Sequence, residues 1–179
     1  IPVLDASGKE IHPALDNHSM GTIFEELIRR FNEDNNASAG EYFTPRDVVN
    51  LMAELIFVPI ADKIESGTYL VYDGACGTGG MLTVAEERLQ DLAKANHKDL
   101  VIHLFGQEAS AETYAIAKAD LIIKGEGIEA NNIAYGSTLS KDGFPSHSFD
   151  FMLSNPPYGS DWKKDLELMG GKKEFADYR

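Results

Sequence analysis

The feature that most restricts the fold is a change of rhythm at residue 68. The short β-type run Thr68-Tyr69-Leu70-Val71-Tyr72 ends at Asp73, a glycine-rich turn follows through Gly74-Ala75-Cys76-Gly77-Thr78-Gly79-Gly80, and helical periodicity then runs from about 79 to 95. The pattern repeats. Leu100-Val101-Ile102-His103-Leu104-Phe105 reads as a second strand, and a helix over about 110–124 follows, using Tyr114, Ile116, Ala117, Leu121 and Ile122. Asn132-Ile133-Ala134-Tyr135 is a third candidate strand and Phe149-Asp150-Phe151-Met152-Leu153 a fourth. Strands alternating with helices predict an α/β fold, a mostly parallel sheet with flanking helices and right-handed crossovers.

Upstream of this unit, Met20, Ile23, Phe24, Leu27, Ile28 and Phe31 share one face of an amphipathic helix over about 19–33, and the polar stretch Asn32 to Gly40 breaks it. Thr44-Pro45-Arg46-Asp47 has the form of a helix start, with Thr44 as N-cap and Pro45 at the first helical position, and Val48, Val49, Leu51, Met52, Leu55 and Ile56 as the buried stripe. Residues 1–40 therefore read as a helical N-terminal segment, the end of a helical domain, and 41–179 as the main domain. Residues 160–179 read as a loop or frayed end. Ile1 in place of an initiator methionine, and the polar stretch around Arg179, lead us to expect a piece of something longer, incomplete at its C-terminus.

With 179 residues and 43% hydrophobic content, the chain can bury the core of one domain. One cysteine, Cys76, excludes an intramolecular disulfide framework, and the five histidines show no metal-ligand pairing, so no metal is expected and a reducing cytoplasm fits best. No apolar run approaches the roughly 20 residues that cross a bilayer, so no membrane partner is expected. The net charge of −13 argues against a self-sufficient clamp for nucleic acid, because phosphates are contacted mainly by Lys and Arg.

In open α/β sheets, ligands bind beyond the carboxyl ends of the strands, where strand order reverses. Three unusual segments fall at such ends: 73–80, Gln107-Glu108 and 155–158. The glycines let a ligand approach the amides that open the following helix, although a tight strand-to-helix turn would use them too. Asp73 closes the strand ahead of the first glycine, unlike the dinucleotide pattern. It would repel a pyrophosphate, but it suits a cofactor carrying an ammonium and a sulfonium, the groups of S-adenosylmethionine. Glu108 can accept both ribose hydroxyls, or can be an exposed strand-end carboxylate.

Asn155-Pro156-Pro157-Tyr158 is a rigid, donor-poor turn directly after an apolar strand. An exocyclic amine conjugated into a purine is a poor nucleophile. It improves when its N–H groups donate to the Asn155 side-chain oxygen and the Pro156 carbonyl, two acceptors that favour the charge developing on nitrogen in the transition state. Tyr158 offers a flat face for a base removed from the duplex.

These segments resemble adenine-specific DNA methyltransferases, in particular the modification subunit of type I restriction-modification systems, over roughly 19–159. Gly40-Glu41-Tyr42-Phe43-Thr44-Pro45-Arg46 is similar to that family's Gly-[Gln/Glu]-[Tyr/Phe]-[Tyr/Phe]-Thr-Pro-Arg segment. Asp73 to Met81 is similar to its Asp-Pro-Ala-Cys-Gly-Thr-Gly-Gly-Met/Phe loop, and Asn155-Pro156-Pro157-Tyr158 to its Asn-Pro-Pro-Tyr/Phe motif. The resemblance implies a Rossmann-like S-adenosylmethionine-dependent methyltransferase fold. It implies cofactor binding by Glu41, Tyr42, Phe43, Thr44, Pro45, Arg46, Asp73, Gly74, Ala75, Cys76, Gly77, Thr78, Gly79, Gly80, Met81, Glu108 and Ser137, with catalysis by Asn155, Pro156 and Tyr158. It also implies methyl transfer to N6 of a flipped adenine in duplex DNA, and as partners a DNA-specificity subunit, a second modification subunit and a restriction subunit. Two departures stand out. Gly74 replaces a common proline, and Gly136-Ser137-Thr138-Leu139 has serine where the family often has aspartate. From the residues alone, an RNA base amine or a protein glutamine as acceptor, and an inactive cofactor-binding scaffold, remain alternatives.

Overall fold

The computed structural model describes residues 44–125, 127–159 and 161–171, together with positions 3, 4, 6–8, 10–12, 23, 26, 27 and 30. Strands β1 (Val3–Leu4) and β2 (Glu10–His12) pair antiparallel, an element absent from the sequence reading of the N-terminal segment. Positions 23, 26, 27 and 30 are helical, and Arg30 pairs with Glu26 one turn back at 2.9 Å. Met20, Phe24, Ile28, Phe31 and the loop to Gly40 lie outside the described residues.

Helix α1 spans Arg46–Phe57, one residue later than the capping pattern predicts. Pro45 (φ −53°, ψ 135°) is its N-cap and no side chain caps it, so the Thr44 hydroxyl is left for other work. The buried stripe also differs from the expected one. Val49, Ala53 and Phe57 are buried, whereas Val48, Leu51 and Leu55 are 45%, 58% and 68% exposed. Periodicity alone marked a stripe too wide to bury. The register instead turns the small Ala53 and the terminal Phe57 inward, where Phe57 meets Phe151 edge-on at 5.0 Å.

The expected βαβ unit is present as β3 (Gly67–Asp73), α2 (Gly80–Ala95), β4 (Leu100–Glu108), α3 (Ala111–Ile123) and β5 (Ile133–Tyr135), followed by β6 (Phe151–Met152). The sheet is parallel throughout, in the order β5-β4-β3-β6. Chain order therefore runs outward from β3 to β5 and then returns to place β6 on the other flank, making β3 the switch point. Val71, Leu104, Leu82, Leu89, Ala117, Leu121 and Phe57 share one buried core between the sheet and α1, α2 and α3. The opposite face of the sheet is covered by aromatic rings from the segment before β6, with Phe149 stacked on Tyr72 at 4.5 Å and Phe144 edge-on to Phe105.

Several boundaries differ from expectation for identifiable reasons. Asn132 closes a 3-10 turn (Glu129–Asn132) instead of opening β5. Within α3, Ile122 is 58% exposed, and Asp120 is buried in its stead, paired with Lys124 at 2.6 Å. β6 is only two residues long, although the amides of Asp150 and Leu153 still bond to Leu70 and Tyr72 carbonyls; the prolines after Asn155 supply no donors to extend it. The end expected to fray contains a short helix, α4 (Lys163–Leu168), whose first amide is met by Asp161 Oδ1 at 3.0 Å. Lys172 to Arg179 lie outside the described residues.

Candidate active site at the switch point

The site grows from the end of β3. Asp73 is 1% exposed, and its Oδ1 accepts from the Ala75 amide at 2.9 Å and from the Ser154 hydroxyl at 2.9 Å. Burial is the main reason its carboxyl is pushed up to about 6; the two hydrogen bonds oppose that shift and the Glu108 charge adds to it. Two acidic groups close enough to act on each other form a set suited to a cationic ligand, which would restore the ionised form.

The loop is braced from β4. The Cys76 amide donates to the Gln107 carbonyl at 3.0 Å, and the Gly77 amide donates to Glu108 Oε2 at 3.0 Å. Glu108 Oε1 accepts from the Ser110 amide at 2.7 Å, so this carboxylate orients both the glycine loop and the turn into α3. Each oxygen retains a lone pair for a ligand hydroxyl. Gly79, at φ +89°, is the N-cap of α2, a conformation costly for other residues, and nothing lies within 4 Å of where its Cβ would stand. Cys76 and Met81 are buried beneath the loop, and burial raises the Cys76 thiol pKa far above its ordinary value. Cys76 packs closely on Gly106, where an added Cβ would meet Cys76 Sγ at 2.8 Å and Ile133 Cδ1 at 2.9 Å.

The loop at Gly136-Ser137-Thr138-Leu139 is drawn to the same place. Gln107, fully buried, donates to the carbonyls of Gly136 (3.1 Å) and Lys141 (2.6 Å) and accepts from the Gly143 amide (3.1 Å). The Thr138 hydroxyl donates to the Gly74 carbonyl, and a Cβ on Gly74 would stand 3.2 Å from Thr138 Cγ2. Ser137 Oγ accepts from the Leu139 amide at 3.3 Å and hydrogen-bonds Asp165 of α4, which Ser140 also meets at 2.6 Å. Those two hydroxyls hold the Asp165 carboxyl below the usual carboxylate range, Ser140 contributing most.

The tetrapeptide after β6 stands at the rim. Leu153 anchors it at 2% exposure, Ser154 ties it to Asp73, and Asn155 to Gly159 are exposed, Tyr158 at 90%. Asn155 Nδ2 donates to Thr44 Oγ1 at 3.1 Å, joining the entry to α1 with the tetrapeptide. Arg46 turns away, to Glu87 Oε2 on α2 at 3.4 Å. The structure thus brings together 44, 73–80, 107–108, 136–139 and 154–155. Glu41, Tyr42 and Phe43 lie outside the described residues. Sequence reasoning missed Ser154, Gln107 as an anchor, and Asp165. The first had a signal, a hydroxyl directly ahead of Asn155; the other two act through tertiary contacts alone. Among the described residues, no group of three or more His, Cys, Asp or Glu side chains could hold a metal ion, and no helix is long and apolar enough to cross a membrane.

The chain is similar to known proteins. The type I restriction enzyme MpnII methylase subunit of Mycoplasma pneumoniae is 29% identical over 155 residues, 82% of this chain and 27% of that one. The crystal structure of a type I restriction-modification system methyltransferase subunit from Streptococcus thermophilus superposes with a TM-score of 0.56 at 27% identity, covering 73% of this chain and 26% of that one. A protein from Listeria monocytogenes assigned as a class I S-adenosylmethionine-dependent methyltransferase shares the fold at a TM-score of 0.63 and 16% identity, covering 86% of this chain and 43% of that one. The chain thus spans about a quarter of the length of the first two relatives. The profile of the N-6 DNA Methylase family matches residues 15–176, and this chain belongs to that family.

Proposed function

We propose that the chain carries the cofactor-binding and catalytic part of a DNA adenine methyltransferase that methylates N6, within the modification subunit of a type I restriction-modification system. The observation that carries the reading is the Ser154 to Asp73 hydrogen bond, which ties the turn that would present the amine to the buried carboxylate at the switch point.

On this reading Asp73, the amides between Gly77 and Gly80, Met81 and Glu108 hold S-adenosylmethionine, with Ser137, Thr44, Pro45 and Arg46 nearby and Glu41, Tyr42 and Phe43 completing the set. The bound cofactor supplies a methyl group activated by its sulfonium. Asp73 answers positive charge; Glu108 accepts hydroxyls. Asn155 Oδ1 and the Pro156 carbonyl accept the two N–H groups of the target amine and draw electron density onto its nitrogen, and they stabilise the cation formed when that nitrogen is alkylated. No strong base is needed, because the proton leaves after alkylation from an acidic ammonium-like nitrogen. Tyr158, almost fully exposed, stacks on the extruded base.

The charge of −13 supports delegated DNA reading, by a specificity subunit alongside a second modification subunit and, for cleavage, a restriction subunit. Such an assembly works in the cytoplasm. The test is methyl incorporation into DNA of known genome sequence by the full-length protein with the specificity subunit encoded beside it. N6-methyladenine at one recurrent sequence is expected. Methylation of RNA or of protein glutamine, with DNA untouched, would refute the assignment.

A further inference from the structure

We infer that Asp165 of α4 reads the base of the cofactor, accepting a hydrogen bond from the 6-amino group of its adenine. The inference rests on the proposed cofactor reading and adds a contact to it. S-adenosylmethionine has three parts joined in a row: a charged amino-acid end with its sulfonium, a ribose and a purine. Asp73 at the end of β3 suits the first, and Glu108 at the end of β4 suits the second. β5 is the next strand in the sheet, so its exit faces the third, one strand spacing of about 4.8 Å further on. The Gly136 amide donates to the Glu108 carbonyl at 2.9 Å and fixes that exit beside Glu108.

Gly136 has no side chain to offer a base, and the next residue is Ser137, where the family often has aspartate. The structure sets a carboxylate against that serine. Ser137 Oγ accepts from the Leu139 amide at 3.3 Å, which leaves its own proton to donate to Asp165. Ser140 Oγ donates to Asp165 Oδ1 at 2.6 Å. A carboxylate has roughly four lone-pair sites, and these hydroxyls occupy two of them, so a purine amine fits as a further donor. Asp165 is half-buried, and the two hydroxyls favour its ionised form, which makes a bond from the amine charge-assisted. The path of the chain leads to the same place. Asn155 follows β6 at one edge of the sheet, and Asp165 meets the loop after β5 at the other. Between those two residues the chain therefore crosses three strand spacings, about 14 Å, along the carboxyl ends that make the crevice. α4 lies on that rim with Asp165 at the base end.

The experiment titrates the full-length modification subunit by calorimetry with S-adenosylhomocysteine and with its analogue carrying hydrogen in place of the 6-amino group. Wild type should prefer the amino form about tenfold, as expected for one hydrogen bond to a charged acceptor. Asp165→Ala should bring that preference below about twofold by weakening the amino form alone. Asp165→Asn keeps the serine partners and an acceptor oxygen, and should fall between the two. Asp142→Asn, which changes another carboxylate of the same loop, should leave the preference as in wild type. Equal weakening of both ligands in Asp165→Ala would make Asp165 a brace for the 137–140 loop and overturn the inference. An unchanged preference in Asp165→Ala, or one lost in Asp142→Asn instead, would overturn it too. Wild-type protein that binds both ligands equally brings down only Asp165. Wild-type protein that binds neither brings down the cofactor reading itself.

Discussion

The two ends of the crevice are built to opposite standards. On the cofactor side, Asp73 is 1% exposed, and the loop after it is braced by Gln107, Glu108, Ser154 and Thr138. On the amine side, Tyr158 is 90% exposed, and the described side-chain hydrogen bond of Asn155 reaches a single residue, Thr44. The contrast suits the two ligands. On the proposed function, a small cofactor meets a loop braced in advance, which lowers the ordering cost of binding. A base extruded from a duplex, the proposed substrate, would need an open platform and would draw much of its ordering energy from the DNA complex.

The contrast breaks most sharply at Asn155. Asn155→Ala should reduce methyl transfer about 10²- to 10³-fold, the loss expected for one acceptor aimed at developing charge, with cofactor affinity intact. Single-turnover transfer beside a cofactor titration separates the two effects. Tyr158→Ala comes next. Stacking on an aromatic face is worth about 1–3 kcal/mol per base, so KM for DNA or single-turnover rate should suffer by about ten- to a hundredfold, and Tyr158→Phe should recover most of it. An equal loss in Tyr158→Phe would shift the role from the ring to the hydroxyl.

On the braced side, Gly106→Ala should destabilise the fold, because its Cβ would lie 2.8 Å from Cys76 Sγ and 2.9 Å from Ile133 Cδ1. Overpacking of this kind costs about 1–3 kcal/mol, and each kcal/mol lowers the melting temperature of a domain this size by roughly 2–4 °C. A wild-type melting curve would show that the loop is looser than drawn.

The smallest effect is set by pH. The Asp73 carboxyl is raised from 3.8 to about 6 by burial, so the unliganded fold carries its stabilising contribution in full below the unfolded value and loses it as pH rises through about 6. Cofactor binding runs the other way. A cation prefers the ionised form, so the dissociation constant for S-adenosylmethionine should grow up to about tenfold per pH unit below 6, and Asp73→Asn should flatten that dependence. A profile equally steep in Asp73→Asn would place the titrating group elsewhere.

How much of this could be read from the residues alone differs in the same way between the two sides. The strand, loop and helix from 68 to 95 were legible because hydrophobic rhythm and glycine spacing are local signals, and β3 and α2 match the expected spans within a residue or two. Asp73, Glu108 and Asn155 were legible as strand-end positions, and the sheet order explains why such ends converge. Thr44 was read as a helix cap and is not one; its partner lies 111 residues away, beyond the reach of any local pattern. The α1 stripe failed for a related reason, because which of several apolar residues is buried depends on what packs opposite. Ser137 could be read as a departure, but its link to Asp165 needed α4, a helix in a stretch expected to be frayed.

The proposed division between a braced cofactor loop and an open amine platform is tested most directly by calorimetric titration of S-adenosylmethionine into the wild-type chain, Asn155→Ala and Asp73→Ala, from micromolar to millimolar. Binding should be seen in the wild type, persist in Asn155→Ala within about twofold, and vanish or weaken by more than tenfold in Asp73→Ala. A silent wild-type titration, or equal losses in the two variants, would contradict the division.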